Sequence, residues 1–355
     1  MQHWPEQAYR NYKRDLLVTA LRRAGFPDPP VEALVPGAAG ERRRMDLAIR
    51  RAGERVILGL HRQKSGEVVD LASCLVLHPA LFVLLAPLRN LLARMVAPCH
   101  QGSVIANLLD SGPDLLLRTD APVQATDRTA LAEFARLHHL PRIAWAQGTS
   151  DAEPIAVLRP PTTSLSGVVV TPPPGAFLQA SGGGEAAIVG AVLDALPSEA
   201  PVAELFAGCG TITFALARRV RVSAWDGDAA AVIALRIAAN RAGLAGRITA
   251  THRDLARQPL QPSELGGFAG VVLDPPFGGA AFQTAQIAAA EVPVVIYVSC
   301  NPRTLMRDAR LLRGAGYQLQ SATPIDQFLW SERLESVCVF TVATPRSRHR
   351  LRRYG

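Results

Sequence analysis

Lysine is almost absent from this chain: Lys13 and Lys64 are the only two. Arginine carries nearly all the positive charge, and the formal net charge is still +8. Such an excess of guanidinium groups favours an anionic partner, and nucleic acid is the first candidate. Paired cysteines are lacking too. The five, Cys74, Cys99, Cys209, Cys300 and Cys338, are odd in number and include no Cys-x-x-Cys pair. That argues against a disulfide framework and for reduced thiols in the cytoplasm. There is no membrane-length apolar run. The most apolar stretch, Leu75 to Val96, is interrupted by His78, Arg89, Asn90 and Arg94, and is too polar to span a bilayer. The opening Met1-Gln2-His3-Trp4-Pro5-Glu6 has no signal-peptide core. Charged residues at 19% and hydrophobic residues at 48% argue against disorder. A chain of 355 residues is long enough for two domains.

Periodicity divides the chain near Thr171-Pro172-Pro173-Pro174-Gly175, the best linker candidate. Before it, a helix over 8–25 stops at Gly25, and 46–50 with 56–60 read as a hairpin. Val68 to Leu71 leads to Cys74, and a long helix is expected between Pro79 and Pro98. Strands 103–110 and 114–119, helix 127–137, and strands 143–147 and 155–158 complete an α+β unit over 1–170. After the linker the pattern is helix 184–196, strand 202–207, helix 211–219, strand 221–226, helix 228–242 and strand 247–251. Strand 269–274, helix 281–290, strand 293–299, helix 303–315 and strands 317–325 and 336–343 follow. Strands alternating with helices predict a doubly wound α/β unit over 171–345. The basic residues 346–355 read as a solvated tail or a phosphate contact.

Glu204-Leu205-Phe206-Ala207-Gly208-Cys209-Gly210-Thr211 is a glycine-rich strand-to-helix turn, able to pass beneath a ligand and offer free N–H groups. It lacks the third glycine of a dinucleotide site. Eighteen residues after Gly208, Asp226 closes a second strand, where a carboxylate can hold ribose hydroxyls; Asp254 follows a third. Each feature alone is an ordinary strand-end turn. One per βα unit, together, they describe a nucleoside site.

Two further segments carry chemistry. Asp274-Pro275-Pro276-Phe277 follows a buried strand, its prolines stiffening the turn. Cys300 ends Ile296-Tyr297-Val298-Ser299, at the strand end where open α/β sheets bind ligands. A buried cysteine is usually an inert small hydrophobe; one at this place can be a nucleophile.

Tyr297-Val298-Ser299-Cys300-Asn301-Pro302-Arg303-Thr304-Leu305, Pro324-Ile325-Asp326-Gln327-Phe328 with Glu335, and Phe177-Leu178-Gln179 resemble motifs of the RNA (uracil-5)-methyltransferases. The resemblance runs through most of 171–343, reaches weakly back to Gln2, and is greatest to the bacterial 23S ribosomal RNA branch. It implies a Rossmann-like S-adenosyl-L-methionine domain behind a smaller α+β, RNA-binding domain. It implies Cys300 as the nucleophile toward uracil carbon 6 and Glu335 as general base. Gln179, Phe206, Gly208, Gly210, Thr211, Asp226, Asp254 and Asp274 would hold the cofactor. Gln179, Asp274 and Phe277 would meet the base. RNA, ribosomal before transfer RNA, is the expected partner, with no membrane, and the protein is expected to be a monomer. Two alternatives remain: an amino-group methyltransferase built on Asp274 to Phe277, and a non-catalytic RNA-binding remnant.

The chain departs from the family pattern at four places. Phe277 stands where arginine is usual, Ser181 where asparagine is, and Arg333 where histidine is. The fourth departure is at the front. Ribosomal members carry three clustered cysteines and a small RNA-binding barrel, whereas this chain opens as though just after that cluster. Cys74 resembles the fourth ligand and would be an orphan. One thiolate cannot hold a four-iron cluster, so no iron–sulphur cluster is expected.

Overall fold

The computed structural model describes residues 1–62, 65–196 and 201–342. The expected basic tail and the last residue of the closing strand lie outside them.

Two seven-stranded sheets carry the molecule. The first is built from β1 (Arg44–Ala52), β2 (Arg55–His61), β3 (Val68–Asp70), β4 (Gln101–Leu109), β5 (Gly112–Thr119), β6 (Arg142–Gln147) and β7 (Glu153–Val157), in the order β3-β2-β1-β4-β5-β6-β7. All its pairs are antiparallel except β5–β6, which helix α4 (Ala125–Leu137) connects as a crossover. Alternation along β1 turns Met45, Leu47 and Ile49 inward against α3 (Leu85–Arg94). The long helix expected between Pro79 and Pro98 is instead two helices, α2 (Pro79–Phe82) and α3. Pro87 has no N–H to give, and its ring opposes the carbonyl of Val83, so one continuous helix cannot pass through.

Between the sheets runs a hairpin of two three-residue strands, β8 (Thr163–Leu165) and β9 (Val168–Val170), turning at Ser166-Gly167 with both φ positive. Neither strand is long enough to show a period in sequence. The linker that follows is pinned. Arg142 donates to Pro172 O at 2.9 Å, and Asn107 donates to Ala176 O at 2.8 Å.

The second sheet has the order β12-β11-β10-β13-β14-β16-β15. Strands β10 (Val202–Leu205), β11 (Val222–Asp226), β12 (Ile248–His252), β13 (Gly270–Leu273) and β14 (Val294–Ser299) are parallel. β15 (Tyr317–Ile325) and β16 (Glu335–Val342) close the sheet antiparallel. β10 and β13 are uniformly buried, as expected of strands covered on both faces. On the two faces pack α5 (Gly182–Asp194), α6 (Thr211–Ala217), α7 (Ala229–Arg241), α8 (Pro262–Leu265), α9 (Ala281–Ala289) and α10 (Pro302–Gly314). Chain order reverses between β10 and β13, which opens the ligand crevice at their carboxyl ends.

The first helix, α1 (Glu6–Arg23), was expected in the N-terminal unit. It packs on the second sheet: Leu17 and Leu21 share a core with Leu205, Leu273, Val295 and Tyr297. The chain after it bridges to β15 at Val31–Ala322 and Val35–Ile325. Lys13, wholly buried, reaches Asp326 at 2.9 Å and the carbonyls of Phe328 and Arg333 at 3.0 and 2.5 Å. Tyr9 donates to the other Asp326 oxygen.

Candidate active site

The crevice is lined by the residues that follow each parallel strand. After β10 the backbone turns through Phe206 at φ 66°, Gly208 at φ 54° and Gly210 at φ 101°. A side chain on Gly210 would strike the Phe214 ring at 2.7 Å, so only glycine lets α6 begin there. The Cβ direction of Gly208 is open. Thr211 is the first residue of α6. Asp226, ending β11, accepts from Gly208 N–H and Asp228 N–H, each at 2.7 Å, and so ties the two turns together. Asp254, after β12, accepts from the N–H groups of Ala256 and Arg257 at 3.1 and 3.2 Å, and its Cα lies 3.9 Å from the Cβ direction of Gly227. All these predicted residues reach one edge of the sheet.

On the other side of the switch point the side chains are linked in series. Gln179 Nε2 donates to Asp274 Oδ2 at 2.9 Å. Gln327 Nε2 donates to Gln179 Oε1 at 2.9 Å and to Glu335 Oε2 at 2.6 Å. Gln327 Oε1 accepts from Ala180 N–H at 3.1 Å. Register brings Glu335 to Cys300: Ser299 of β14 faces Ser336 of β16, which leaves the two at the same end of adjacent strands. Cys300 is half-buried, and Asn301 caps α10 by accepting from Arg303 N–H at 3.1 Å. The Asn301 side chain also donates to Phe277 O at 3.0 Å, fastening the Asp274–Phe277 turn to the cysteine loop.

The electrostatics match that crowding. Burial, then the charge of Asp274, pushes Glu335 well above the usual carboxylate range, against the hydrogen bond from Gln327. Burial pushes Asp274 up to about 7, helped by Asp226 and opposed by Gln179. Burial, then Glu335 and Asp274, pushes the Cys300 thiol up to about 12, with Arg333 acting the other way. Burial and the two carboxyl groups thus favour the thiol form of Cys300, beside acids that hold their protons more tightly than usual. Strongly displaced titration in a cleft is common at functional sites.

One residue of this centre, Gln327, was not singled out from sequence, and Glu204 was read only as part of its motif. Gln327 lies inside a recognised motif, yet only the fold shows its amide between Gln179 and Glu335. Glu204 is buried on β10 with Oε2 unpartnered among the described residues, and burial pushes it up to about 8. Phe277 is more than half exposed, with the Arg333 guanidinium 5.1 Å from its ring centroid, so two of the departures from the family pattern touch each other. Ser181 caps α5, accepting from Gly184 N–H at 3.0 Å. Cys74 is half-buried and accepts from Leu77 N–H at 3.4 Å. Among the described residues, no group of three His, Cys, Asp or Glu side chains is placed to hold a metal ion. No described helix is long and apolar enough to cross a membrane.

The fold is Rossmann-like, and the family match makes the chain a methyltransferase. Residues 174–342 match the family described as tRNA (uracil-5-)-methyltransferase. An uncharacterised RNA methyltransferase of Mesorhizobium japonicum is 38% identical, over 96% of this chain and 80% of its own. The 23S rRNA (uracil(1939)-C(5))-methyltransferase RlmD of Chromohalobacter salexigens is 33% identical, over 98% of this chain and 74% of its own. Among solved structures, the tRNA (uracil-54, C5)-methyltransferase of Pyrococcus abyssi, in complex with S-adenosyl-L-homocysteine, matches with TM-score 0.69 at 19% identity. That match covers 96% of this chain and 84% of the other. The chain belongs to the RNA (uracil-5)-methyltransferase family.

Proposed function

We propose that this protein methylates carbon 5 of a uridine in RNA, with 23S ribosomal RNA as the substrate and the cytoplasm as its compartment. The observation that carries the reading is the position of Cys300 and Glu335 at the same end of adjacent strands, with Glu335 linked to Asp274 through Gln327 and Gln179. The α+β unit before residue 171 would serve the RNA, and residues 171–345 the chemistry, with α1 packed on the latter.

The crevice fits S-adenosyl-L-methionine. The open face of Gly208, the carboxylates of Asp226 and Asp254, Phe206 and the start of α6 at Thr211 suit a nucleoside with an amino-acid tail. Bound there, the cofactor supplies an electrophilic methyl group for carbon 5. Carbon 5 of uracil is too weak a nucleophile unaided. Cys300, its thiol proton passed to solvent, would add through sulfur to carbon 6 and turn the ring into an enolate, whose carbon 5 takes the methyl group as S-adenosyl-L-homocysteine leaves. Glu335, in its ionised form, would then take the carbon 5 proton, and rupture of the sulfur–carbon 6 bond would release Cys300 as the thiolate. Gln179 and Asp274 would hold the polar edge of the base, and Phe277 would stack beside it. Carbon 6 is unreachable inside a helical stack, so the uridine must be flipped out or lie in a loop.

The test is RNA carrying 5-fluorouridine. Because fluorine cannot leave as a proton does, wild-type protein should form a covalent adduct at Cys300, and Cys300→Ala should form none and turn over no RNA. Retained turnover by Cys300→Ala would instead favour methylation of an exocyclic amine by the Asp274–Phe277 turn. Mass spectrometry of ribosomal and transfer RNA from cells lacking the gene identifies the substrate.

A further inference from the structure

Beside the catalytic cluster lies a second cavity, of about 510 Å³, between β1 and the segment 326–333. Arg42, Arg44 and Arg333 line it, together with Gln327, whose amide holds Glu335. Among the described residues none of the three guanidinium groups has a hydrogen bond or ion pair to a carboxylate, and Arg44 Nε is buried without any partner. Crowding of this kind is costly. Burial pulls Arg42 down first, and Arg44 and Arg333 add to it; burial also pulls Arg44 down, opposed by Asp46. Two carboxylates border the cavity. Asp326 is paired with Lys13 and accepts from Tyr9, and Asp46 makes no ion pair within 4.0 Å among the described residues. The fold has gathered three cations around space and left their charge unanswered.

Two of the three also stack on exposed rings. The Arg44 guanidinium lies 5.1 Å from the Phe177 centroid, and Arg333 lies at the same distance from Phe277. Phe177 and Phe277 are 63% and 54% exposed. Guanidinium forks that bind phosphate, beside rings that accept unstacked bases, suit single-stranded RNA more than a protein acid.

We propose that this cavity is a binding site for a backbone phosphate of the RNA, next to the target nucleotide, held by Arg42 and Arg44 with Arg333 closing its inner side. The proposal rests on RNA being the substrate and is independent of which atom is methylated.

The probe is a fluorescein-labelled single-stranded RNA containing one uridine, followed by anisotropy over a series of salt concentrations. For Arg42→Gln with Arg44→Gln, affinity at low salt should fall about tenfold to a hundredfold. The slope of log K against log salt should become shallower by about 0.7 for each phosphate released. Binding of S-adenosyl-L-homocysteine should be unchanged. Arg42→Lys with Arg44→Lys should keep most of the slope. Arg128→Gln, at an exposed pair with Glu153 on α4, should not alter it. The Arg42 side chain makes no hydrogen bond or ion pair among the described residues, so Arg42→Gln alone serves if the double variant does not fold. An unchanged slope, an equal change in Arg128→Gln, or lysine variants behaving as the glutamine ones would overturn the site. Fluorouridine adduct formation is read separately: its failure alongside a changed slope removes the uracil reading and leaves the phosphate site standing.

Discussion

Gln327 donates its side-chain N–H to Glu335 Oε2 at 2.6 Å, and the same nitrogen reaches Gln179 at 2.9 Å. One amide thus fixes the orientation of a carboxyl whose second oxygen, Oε1, is buried with no partner among the described residues.

Gln327→Leu should therefore lower kcat by about tenfold to a hundredfold, in line with the roughly 1–3 kcal/mol cost of leaving a buried polar group unsatisfied. Binding of S-adenosyl-L-homocysteine should change little. Loss of the donor also raises Glu335 further, so the pH–rate profile should move to higher pH. A profile that keeps its midpoint while kcat falls would make Gln327 a mere packing residue.

Lys13→Met removes the only cation from a buried cluster of Asp326, Tyr9 and two carbonyls. The stranded Asp326 should cost about 3–5 kcal/mol in urea unfolding. Lys13→Met with Asp326→Asn should recover part of that, since no charge is then left unpaired.

The charge of Asp274 raises both Cys300 and Glu335. In Asp274→Asn the onset of Cys300 alkylation by iodoacetamide, read by peptide mass spectrometry, should move to lower pH than in the wild type. Exposed Cys99 serves as the internal standard. A Cys300 profile that does not move relative to Cys99 would remove Asp274 as a cause.

Glu204 titrates near 8 in the fold, against a model-peptide value near 4.5. A raised carboxyl contributes stability that is complete below the unfolded value and is lost as pH climbs through the folded one. Glu204→Gln should thus gain stability relative to wild type between pH 5 and pH 8.5, measured as a shift in urea midpoint. A constant difference across that range would contradict the assignment.

Much of the second half was legible because parallel strands covered on both faces leave apolar runs, and Phe206, Asp226, Asp274 and Cys300 stand at or just after the ends of four of them, where such sheets bind ligands. What the sequence could not disclose was pairing at long range. Nothing local tells Gln327 that its neighbour is Gln179, 148 positions away. Likewise the apolar stripe of α1 specifies a helix with a buried side, and not which of two sheets buries it. The split of the helix between Pro79 and Pro98 was available in Pro87; the β8–β9 hairpin was too short to show any period.

Lys13 and Asp326 are 313 positions apart (326 − 13), so at about 5–20 residues per second the ribosome needs roughly 15–60 s to deliver the second after the first. Throughout that interval a buried-to-be lysine stands without its carboxylate, and the carbonyls that complete its shell have not been made. Glu335 emerges later still. The contact between the first helix and the segment that holds Asp326 can therefore form only once nearly the whole chain has been made.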